Sequence, residues 1–338
     1  MLTGYEMGNY LIGPMLGKGS FGEIYVIYDR TSNSFYGMKM EPRKTKRRVL
    51  DFEIQVLKEL NSPYFPKYIG SGRTQRYTYL TMELLGPSLS TIKKKLPRNQ
   101  FTLSTALRSM SYALSAIQAL HSYGIIHRDI KPGNILIRHN HEHPFVLIDF
   151  GLSRIYINKE THQLIPPRRR PGFRGTAAYA SINAHKCLEL SRRDDIISWF
   201  YMTLDLIKPN ALPWKRRIQN ETLFEVKYTT DMNKLTSKIS PYLTEIWNLI
   251  EPLKFEDEPD YERIKQILAQ YMNENNIQET DVWDWHPNIY SMDNDENLDS
   301  KFFGESPLIT SLTNNNQHDI NDFLLSPKKK NSCNCNLL

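Results

Sequence analysis

Cysteine is nearly missing from this sequence: 338 residues contain three, Cys187, Cys333 and Cys335. Three thiols cannot build a disulfide framework, so a reducing compartment is expected, and without a CxxC pair there is no zinc-site signature. No apolar run approaches the ~18 residues that a membrane-spanning helix needs. The opening, MLTGYEMGNYLIGP, lacks the basic and then apolar regions of a secretory signal. Gly8, in its MGNY stretch, stands too far in for myristoylation. A strong charge imbalance is missing too. The 43 basic and 37 acidic residues leave +6, too mild an excess to point to nucleic acid. What is present, 40% hydrophobic and 24% charged residues, is the balance of a globular chain able to bury a core.

The pattern along the chain changes once. YLIGPMLG, EIYVIYD, FYGMKME and YTYLTMELLG alternate apolar residues and are rich in aromatic and β-branched types, so they read as strands. VLDFEIQVLKEL repeats its apolar residues at helical spacing. After LSTIKKKL helices dominate, the first being FTLSTALRSMSYALSAIQALHSYG, with Gly124 as its stop. Loops are expected at His127–Asn134 and Pro166–Gly175. Strands first and helices later predict an α+β protein with two unequal lobes. From Ile289 to Leu338 the chain is rich in Asn, Asp and Ser and has little to bury, so a disordered tail is predicted there.

The chemistry is announced at Leu16–Gly22, LGKGSFG. Gly17, Gly19 and Gly22 form G-x-G-x-x-G, whose main-chain N–H groups can approach phosphates because no Cβ obstructs them. A dinucleotide-binding turn shares this pattern but opens a helix. Here a strand, EIYVIYD, follows, and a strand–glycine loop–strand arrangement resembles protein kinases. The other kinase motifs follow in order. Lys39 stands in YGMKM, where a lysine holds the α- and β-phosphates, and Glu53 lies in the next helix, where it can pair with that lysine. IIHRDIKPGNILI contains Asp129, Lys131 and Asn134, and LIDFGLS contains Asp149. Each residue type suits its task. ATP brings dense negative charge, which Lys39 and Mg2+ neutralise. Mg2+ prefers hard oxygen ligands, here Asn134 and Asp149. Asp129 can take the proton of an incoming hydroxyl, and Lys131 can steady the γ-phosphate. A lysine two residues after the base resembles serine/threonine rather than tyrosine kinases. Taken singly, Lys39 or Glu53 would be an ordinary surface residue, Asp129 a turn residue and His127 a packed histidine. Four motifs in one order are what chance does not supply.

ELLGPSLSTI, YASINAH, SRRDDI and LKFEDEPDY resemble the casein kinase 1 superfamily. There, as here, the usual A-P-E motif gives way to Ser181-Ile182-Asn183. PPRRRPGFRGTAAYASINAH is most similar to its tau-tubulin kinase branch. The resemblance covers residues 10–288 and implies a bilobal kinase fold, with a small β-rich lobe over about 10–85, a larger helical lobe over about 86–288, and a tail at 289–338. It implies ATP and Mg2+ as cofactors and proteins as substrates. The loop Gly17, Lys18, Gly19, Ser20, Phe21 and Gly22 would cover the phosphates, and Ile24 the adenine. Met82 would be the gatekeeper, with Glu83 and Leu85 in the adenine-binding hinge. Gly37 stands where most kinases carry alanine. Asp195 would support the backbone of the loop bearing Asp129, and Thr176 would contact Asp129 and Lys131. One departure is Ala178, where family members have an arginine that helps bind an anion near the substrate. Arg168, Arg169, Arg170 and Arg174 upstream, with Lys215, Arg216 and Arg217 downstream, offer a substitute basic groove for acidic segments. The run Arg43–Arg48 reads as a solvated turn. The rival readings are a pseudokinase scaffold, against which the complete catalytic set argues, and a small-molecule kinase, against which YASINAH and SRRDD argue.

The chain ends KKKNSCNCNLL. Cys335-Asn336-Leu337-Leu338 fits C-a-a-X, and a terminal leucine favours geranylgeranyl. Cys333 could take a palmitoyl group. Lys328, Lys329 and Lys330 would each add about 1 kcal/mol at an anionic membrane surface. One lipid anchors only marginally, and this tail supplies a second signal. The expectation is a monomeric kinase with no nucleic-acid partner, peripherally tethered to the cytoplasmic face of a membrane. Phosphate on Ser326 or Ser332 would loosen that tether.

Overall fold

A computed structural model describes residues 2–19, 22–45, 48–138, 142–215 and 222–285. Ser20, Phe21, Arg216, Arg217, Ser326, Ser332, Lys328 to Lys330, Cys333 and Cys335 lie outside the described residues, as does the expected tail. The described chain forms two units, one of residues up to 50 together with 69–84, the other of 51–68 together with 85–285.

The first unit is built on a six-stranded sheet. Its strands are β1 (Glu6–Met7), β2 (Tyr10–Gly19), β3 (Gly22–Asp29), β4 (Ser34–Pro42), β5 (Tyr68–Arg73) and β6 (Tyr77–Glu83), in the order β1-β2-β3-β4-β6-β5. Side chains alternate across a strand, so the register assigns each residue to a face. Ile24 pairs with Lys39 and Val26 with Gly37. Lys39 in turn pairs with Leu80 and Gly37 with Met82. Ile24, Val26, Gly37, Lys39, Leu80 and Met82 therefore share one face. Ile12, Tyr25, Ile27, Met38 and Met40 cluster on the other as an apolar core. Four residues scattered over 59 positions of sequence that the kinase resemblance assigns to the nucleotide, Ile24, Gly37, Lys39 and Met82, thus meet on one surface through strand register alone.

The division between the units falls within α1 (Val49–Glu59). No serine, threonine, aspartate or asparagine stands directly before Val49 to cap it. Glu41, buried at the end of β4, accepts from the amides of Val49 at 3.2 Å and Leu50 at 3.3 Å. Its carboxylate also suits the positive end of the helix dipole.

The second unit is mainly helical, with α2 (Leu89–Lys95), α3 (Leu103–Ser122), α4 (Ile182–His185), α5 (Arg192–Ile207), α6 (Leu223–Thr229), α7 (Met232–Ser237), α8 (Pro241–Ile250) and α9 (Tyr261–Glu274). Two short antiparallel pairs complete it. β7 (Ile125–Ile126) pairs with β10 (Arg154–Ile155), and β8 (Ile135–Ile137) with β9 (Phe145–Leu147). The Thr102 hydroxyl caps α3, and Gly124 turns the chain at its end with φ of 74°. The last described residues hold α3 from outside. Asp284 accepts from the Thr102 amide and hydroxyl at 2.7 and 2.8 Å. Trp283 and Trp285 stack on each other, and the Arg108 guanidinium lies 3.7 Å above the Trp283 ring. Helix α5 is buried from Asp194 to Ile207. Its weakly amphipathic sequence follows from that position, because a helix wrapped on all sides has no solvent face to mark.

Two glycines are constrained differently. Gly22 has φ of 147°, and a Cβ there would overlap the main-chain oxygen of Met40. A Cβ on Gly37 would meet nothing closer than the Glu83 carbonyl oxygen at 3.6 Å, ordinary packing. Gly22→Ala is expected to destabilise the chain by about 1–3 kcal/mol. Gly37→Ala is expected to be neutral or stabilising by up to about 1 kcal/mol. Urea denaturation of the two variants measures both.

Candidate functional site

The residues of the sequence motifs fall in both units. In the first, Gly19 and Gly22 face each other across the β2–β3 hairpin, with the register shifting between Ile12 and Gly17. Lys18 reaches across to Glu23 at 2.9 Å, and Glu23 also accepts from the Tyr25 hydroxyl at 2.7 Å. A Cβ on Gly17 or Gly19 would meet open space. Those two glycines therefore leave room beside the hairpin, whereas Gly22 is required by the backbone of β4. Lys39 is buried on β4, 6% exposed, a position that desolvates an ammonium and suits it to polyanion binding. Glu53 is likewise buried on α1, while Met82 and Glu83 end β6 and Leu85 follows.

In the second unit, the segment His127 to Asn134 runs from β7 to a short 3-10 turn at Pro132–Asn134. Arg128 has φ of 68°, a left-handed conformation that costs a non-glycine residue about 1–3 kcal/mol. Asp195, in the first turn of α5, holds it there. One carboxylate oxygen accepts from the amide of His127 at 2.6 Å and the other from that of Arg128 at 2.7 Å. Each charge-assisted bond contributes about 1.5–3 kcal/mol, so the pair outweighs the strain. His121 at 3.0 Å completes the carboxylate's shell, and its other nitrogen lies 2.6 Å from the Tyr261 hydroxyl. Burial acts to raise the Asp195 pKa, but the His121 hydrogen bond, the two histidines and the His127 amide together hold it below the ordinary value. His127 itself accepts from the Asp129 amide on Nδ1 and donates from Nε2 to the Ile148 carbonyl at 2.9 Å. Both nitrogens are used in shaping the loop.

Asp129 is 8% exposed. Its Oδ2 accepts from Lys131 Nζ at 2.7 Å, and its Oδ1 accepts from the Thr176 hydroxyl at 2.7 Å. Lys131 also donates to Thr176 Oγ1 at 3.1 Å, closing a three-residue ring. A carboxylate has about four acceptor sites, so it can still receive a hydroxyl. Asn134 donates from Nδ2 to the Asp129 main-chain oxygen at 2.9 Å, which makes Oδ1 its acceptor end. The Ile135–Leu147 pairing and the bond from the Ile148 amide to the Asn134 carbonyl set Asn134 and Asp149 on neighbouring strand ends. Asp149 takes φ of 68°, and Phe150 after it is buried against Phe65 and His127. An amide oxygen and a carboxylate are hard ligands that fit Mg2+, an ion that keeps several waters and needs few protein donors.

Two motifs quoted separately in the sequence meet in space. Ser181 and Asn183 both donate to Asp194, at 2.6 and 2.9 Å, so the SIN and SRRDD stretches form one joint, with the neighbouring Asp195 turned to the Asp129 loop. Sequence reasoning missed several contributors. Gly175 has φ of 98°, and a Cβ there would stand 2.6 Å from the Arg128 carbonyl oxygen. Glu189 takes Arg168 in a bidentate pair at 2.6 and 2.9 Å, with Arg154 at 3.8 Å. Asp205 gathers Lys93, Lys215 and the Tyr179 hydroxyl within 3.2 Å. These pairings span 10 to 112 residues, beyond what a local pattern can signal. The Arg128 guanidinium donates to the carbonyls of Leu152 and Ser153, and burial together with the Arg168 charge pushes its pKa down to about 10.

A depressed carboxyl pKa contributes stability that is complete above the unfolded value of about 3.9 and is lost as pH falls through the folded value. The urea midpoint of the native chain is therefore expected to drop more steeply below pH 4 than that of Asp195→Asn. At pH 7 that variant, with one acceptor oxygen for two amides, should be about 1–3 kcal/mol less stable.

A protein kinase domain model matches residues 10–283. Among similar proteins, a probable serine/threonine-protein kinase of Dictyostelium discoideum is 34% identical over 281 residues, 82% of this chain and 56% of that protein. The serine/threonine-protein kinase spe-6 of Caenorhabditis elegans is 31% identical over 283 residues, 80% of this chain and 74% of that protein. The chain thus spans about half the length of the first relative and three quarters of the second. With its ordered motifs, its α+β architecture and a match over most of its length, this chain belongs to the protein kinase family.

Proposed function

We propose that the chain is an active ATP-dependent serine/threonine protein kinase. The observation that carries this reading is the Asp129 carboxylate, held between Lys131 and Thr176 at 2.7 Å on either side. A general base must be positioned before it can act. The substrate hydroxyl gives its proton to Asp129 as its oxygen attacks the γ-phosphorus. The bond to the β–γ bridging oxygen breaks, and ADP departs with that electron pair. Lys131 neutralises the γ-phosphoryl oxygens, and Lys39 binds the α- and β-phosphates. By the kinase resemblance, the run Gly17, Lys18, Gly19, Ser20, Phe21 and Gly22 covers the phosphates. Ile24 and Met82 pack on adenine, and Glu83 and Leu85 offer it main-chain hydrogen bonds. By the kinase resemblance, Glu53 stands at the position of the acidic partner of the phosphate-binding lysine. Mg2+ held by Asn134 and Asp149 would supply charge neutralisation at the phosphates.

The casein kinase 1 superfamily is the finer assignment, supported by the Ser181–Asn183 replacement and its joint with Asp194. The tau-tubulin branch rests on the Gly172–Thr176 run. A preference for acidic substrates rests on fewer cations than the sequence offers. Arg168 is committed to Glu189, and Lys215 to Asp205. Arg169 and Arg170 are exposed and make no ion pair among the described residues. With Arg174, which donates to the Phe173 carbonyl at 2.7 Å and also makes no ion pair among the described residues, they are the candidates to meet an acidic peptide. Membrane attachment through Cys335, seconded by Cys333 and Lys328 to Lys330, rests on the C-terminal motif. It would make the protein a monomeric peripheral enzyme of a cytoplasmic membrane face.

Asp129→Asn is expected to lower kcat for peptide phosphorylation by about 10²–10⁴-fold with little change in the KM for ATP. Native turnover no greater than that of the variant would instead favour a nucleotide-binding scaffold. On peptide arrays, a chain with Arg169→Ala, Arg170→Ala and Arg174→Ala should lose any advantage of acidic flanks. For the tail, mass spectrometry of protein from its own cells should find a C-terminal peptide ending at Cys335 with a prenyl group and a methyl ester. A peptide ending at Leu338 with free thiols would remove the membrane reading.

A further inference from the structure

Lys227 lies on α6 and is 3% exposed. A buried ammonium normally has a carboxylate partner, and among the described residues this one has none. Its Nζ donates instead to three main-chain carbonyls, those of Ala177 at 2.8 Å, Ala178 at 3.2 Å and Ala180 at 2.7 Å. The Tyr201 and Trp214 rings each lie 5.1 Å from it, and His185 Nε2 lies at 3.4 Å. A lysine head carries three N–H donors, and here each has a carbonyl.

Those carbonyls belong to the turn that follows Thr176, the residue bonded to Asp129 and Lys131. Tyr179 is held from outside the turn, its hydroxyl donating to Asp205 at 2.9 Å. The amides of Tyr179 and Ala180 both bond the Thr176 carbonyl at 2.9 Å, and the side chains at 177, 178 and 180 are methyl groups with little area to bury. The carbonyls at 177, 178 and 180 point away from that bond pattern. Buried without donors, each would cost about 1–3 kcal/mol. Two further donors assist, Trp214 to the Ala178 carbonyl at 2.8 Å and His185 Nε2 to that of Ala177 at 3.2 Å. The Lys227 ammonium thus ties three carbonyls of one turn to α6.

We infer that Lys227 is a positioning residue, which clamps the turn 177–180 and so fixes the wall that receives the substrate peptide beside Thr176. The inference rests on the kinase reading above and adds to it. Burial pushes the Lys227 pKa down to about 7, while three carbonyls and two ring faces oppose loss of its proton. Committed in this way, Lys227 is a fastener of the wall and leaves the reading of substrate charge to other residues.

The test compares the full chain with Lys227→Met, which keeps the stem and removes the charge, and with Lys227→Gln, which keeps a donor. The readouts are KM for the best array-selected serine peptide, KM for ATP, melting temperature, and amide hydrogen exchange across residues 176–185. Lys227→Met is expected to raise the peptide KM at least tenfold and to speed exchange of the Ala178 to Ser181 amides at least tenfold. The KM for ATP should stay within twofold, and Lys227→Gln should fall between. A peptide KM within twofold of native would overturn the proposal. So would parallel increases in both KM values with a general fall in melting temperature, the mark of a merely structural residue. If Lys227→Met does not fold, Lys227→Gln is judged by the same criteria. A native chain that phosphorylates no peptide would sink the kinase reading, and the exchange rates alone would then decide the clamp.

Discussion

The carboxylate of Asp195 accepts the amides of His127 and Arg128 on separate oxygens, and the geometry of Asp129 depends on that pair of bonds. Arg128 sits in a left-handed conformation that the chain does not adopt unaided. The bend it makes turns the next residue, Asp129, toward Lys131, Asn134 and Thr176. Placing the anchoring carboxylate on α5 gives the bend the rigidity of the most buried helix in the unit. The same turn of α5 carries Asp194, which collects Ser181 and Asn183. Two adjacent carboxylates therefore fix the two segments that meet at the Asp129–Thr176 hydrogen bond.

The segment bearing Thr176 is held by chemistry of another kind. It has no strand or helix of its own between Ile165 and Ser181, so its main-chain groups find partners one by one. Glu189 takes the Arg168 amide and side chain, Gly175 passes close under the Arg128 carbonyl, and Tyr179 reaches Asp205. Lys227 and Trp214 then satisfy the carbonyls that the turn leaves over. Such a segment gains order only from side chains that arrive from several helices. A single lost donor there shifts the substrate wall before it unfolds the domain.

Charge is arranged on a similar plan. The activation-side arginines look like a basic patch in the sequence, yet Arg168 is spent on Glu189 and Lys215 on Asp205. In these pairs the carboxylate is buried and the cation partly exposed, so they add less to stability than their Coulomb attraction suggests, because desolvation of the carboxylate offsets much of it. What they do secure is position. Among the described residues, the cations left for a partner are then a subset, Arg169, Arg170 and Arg174, set by where the internal carboxylates stand.

Much of this was legible in the sequence because it is local. The long helix ending at Gly124, the helix from Val49, the strands around Lys39 and the ordered motifs of Asp129, Asn134 and Asp149 are each written in a short window, where periodicity and turn chemistry act. The Thr176 and Asp195 roles came from the family resemblance, not from any local pattern. The strand β5 was not legible, since YIGSGR has little apolar alternation to mark it. Glu41 capping α1, Gly175 beneath Arg128, and Lys227 gathering three carbonyls were decided only by tertiary structure. Each satisfies a main-chain group or relieves a clash with a partner distant in sequence, and the need for that residue exists only after the chain has brought the two together.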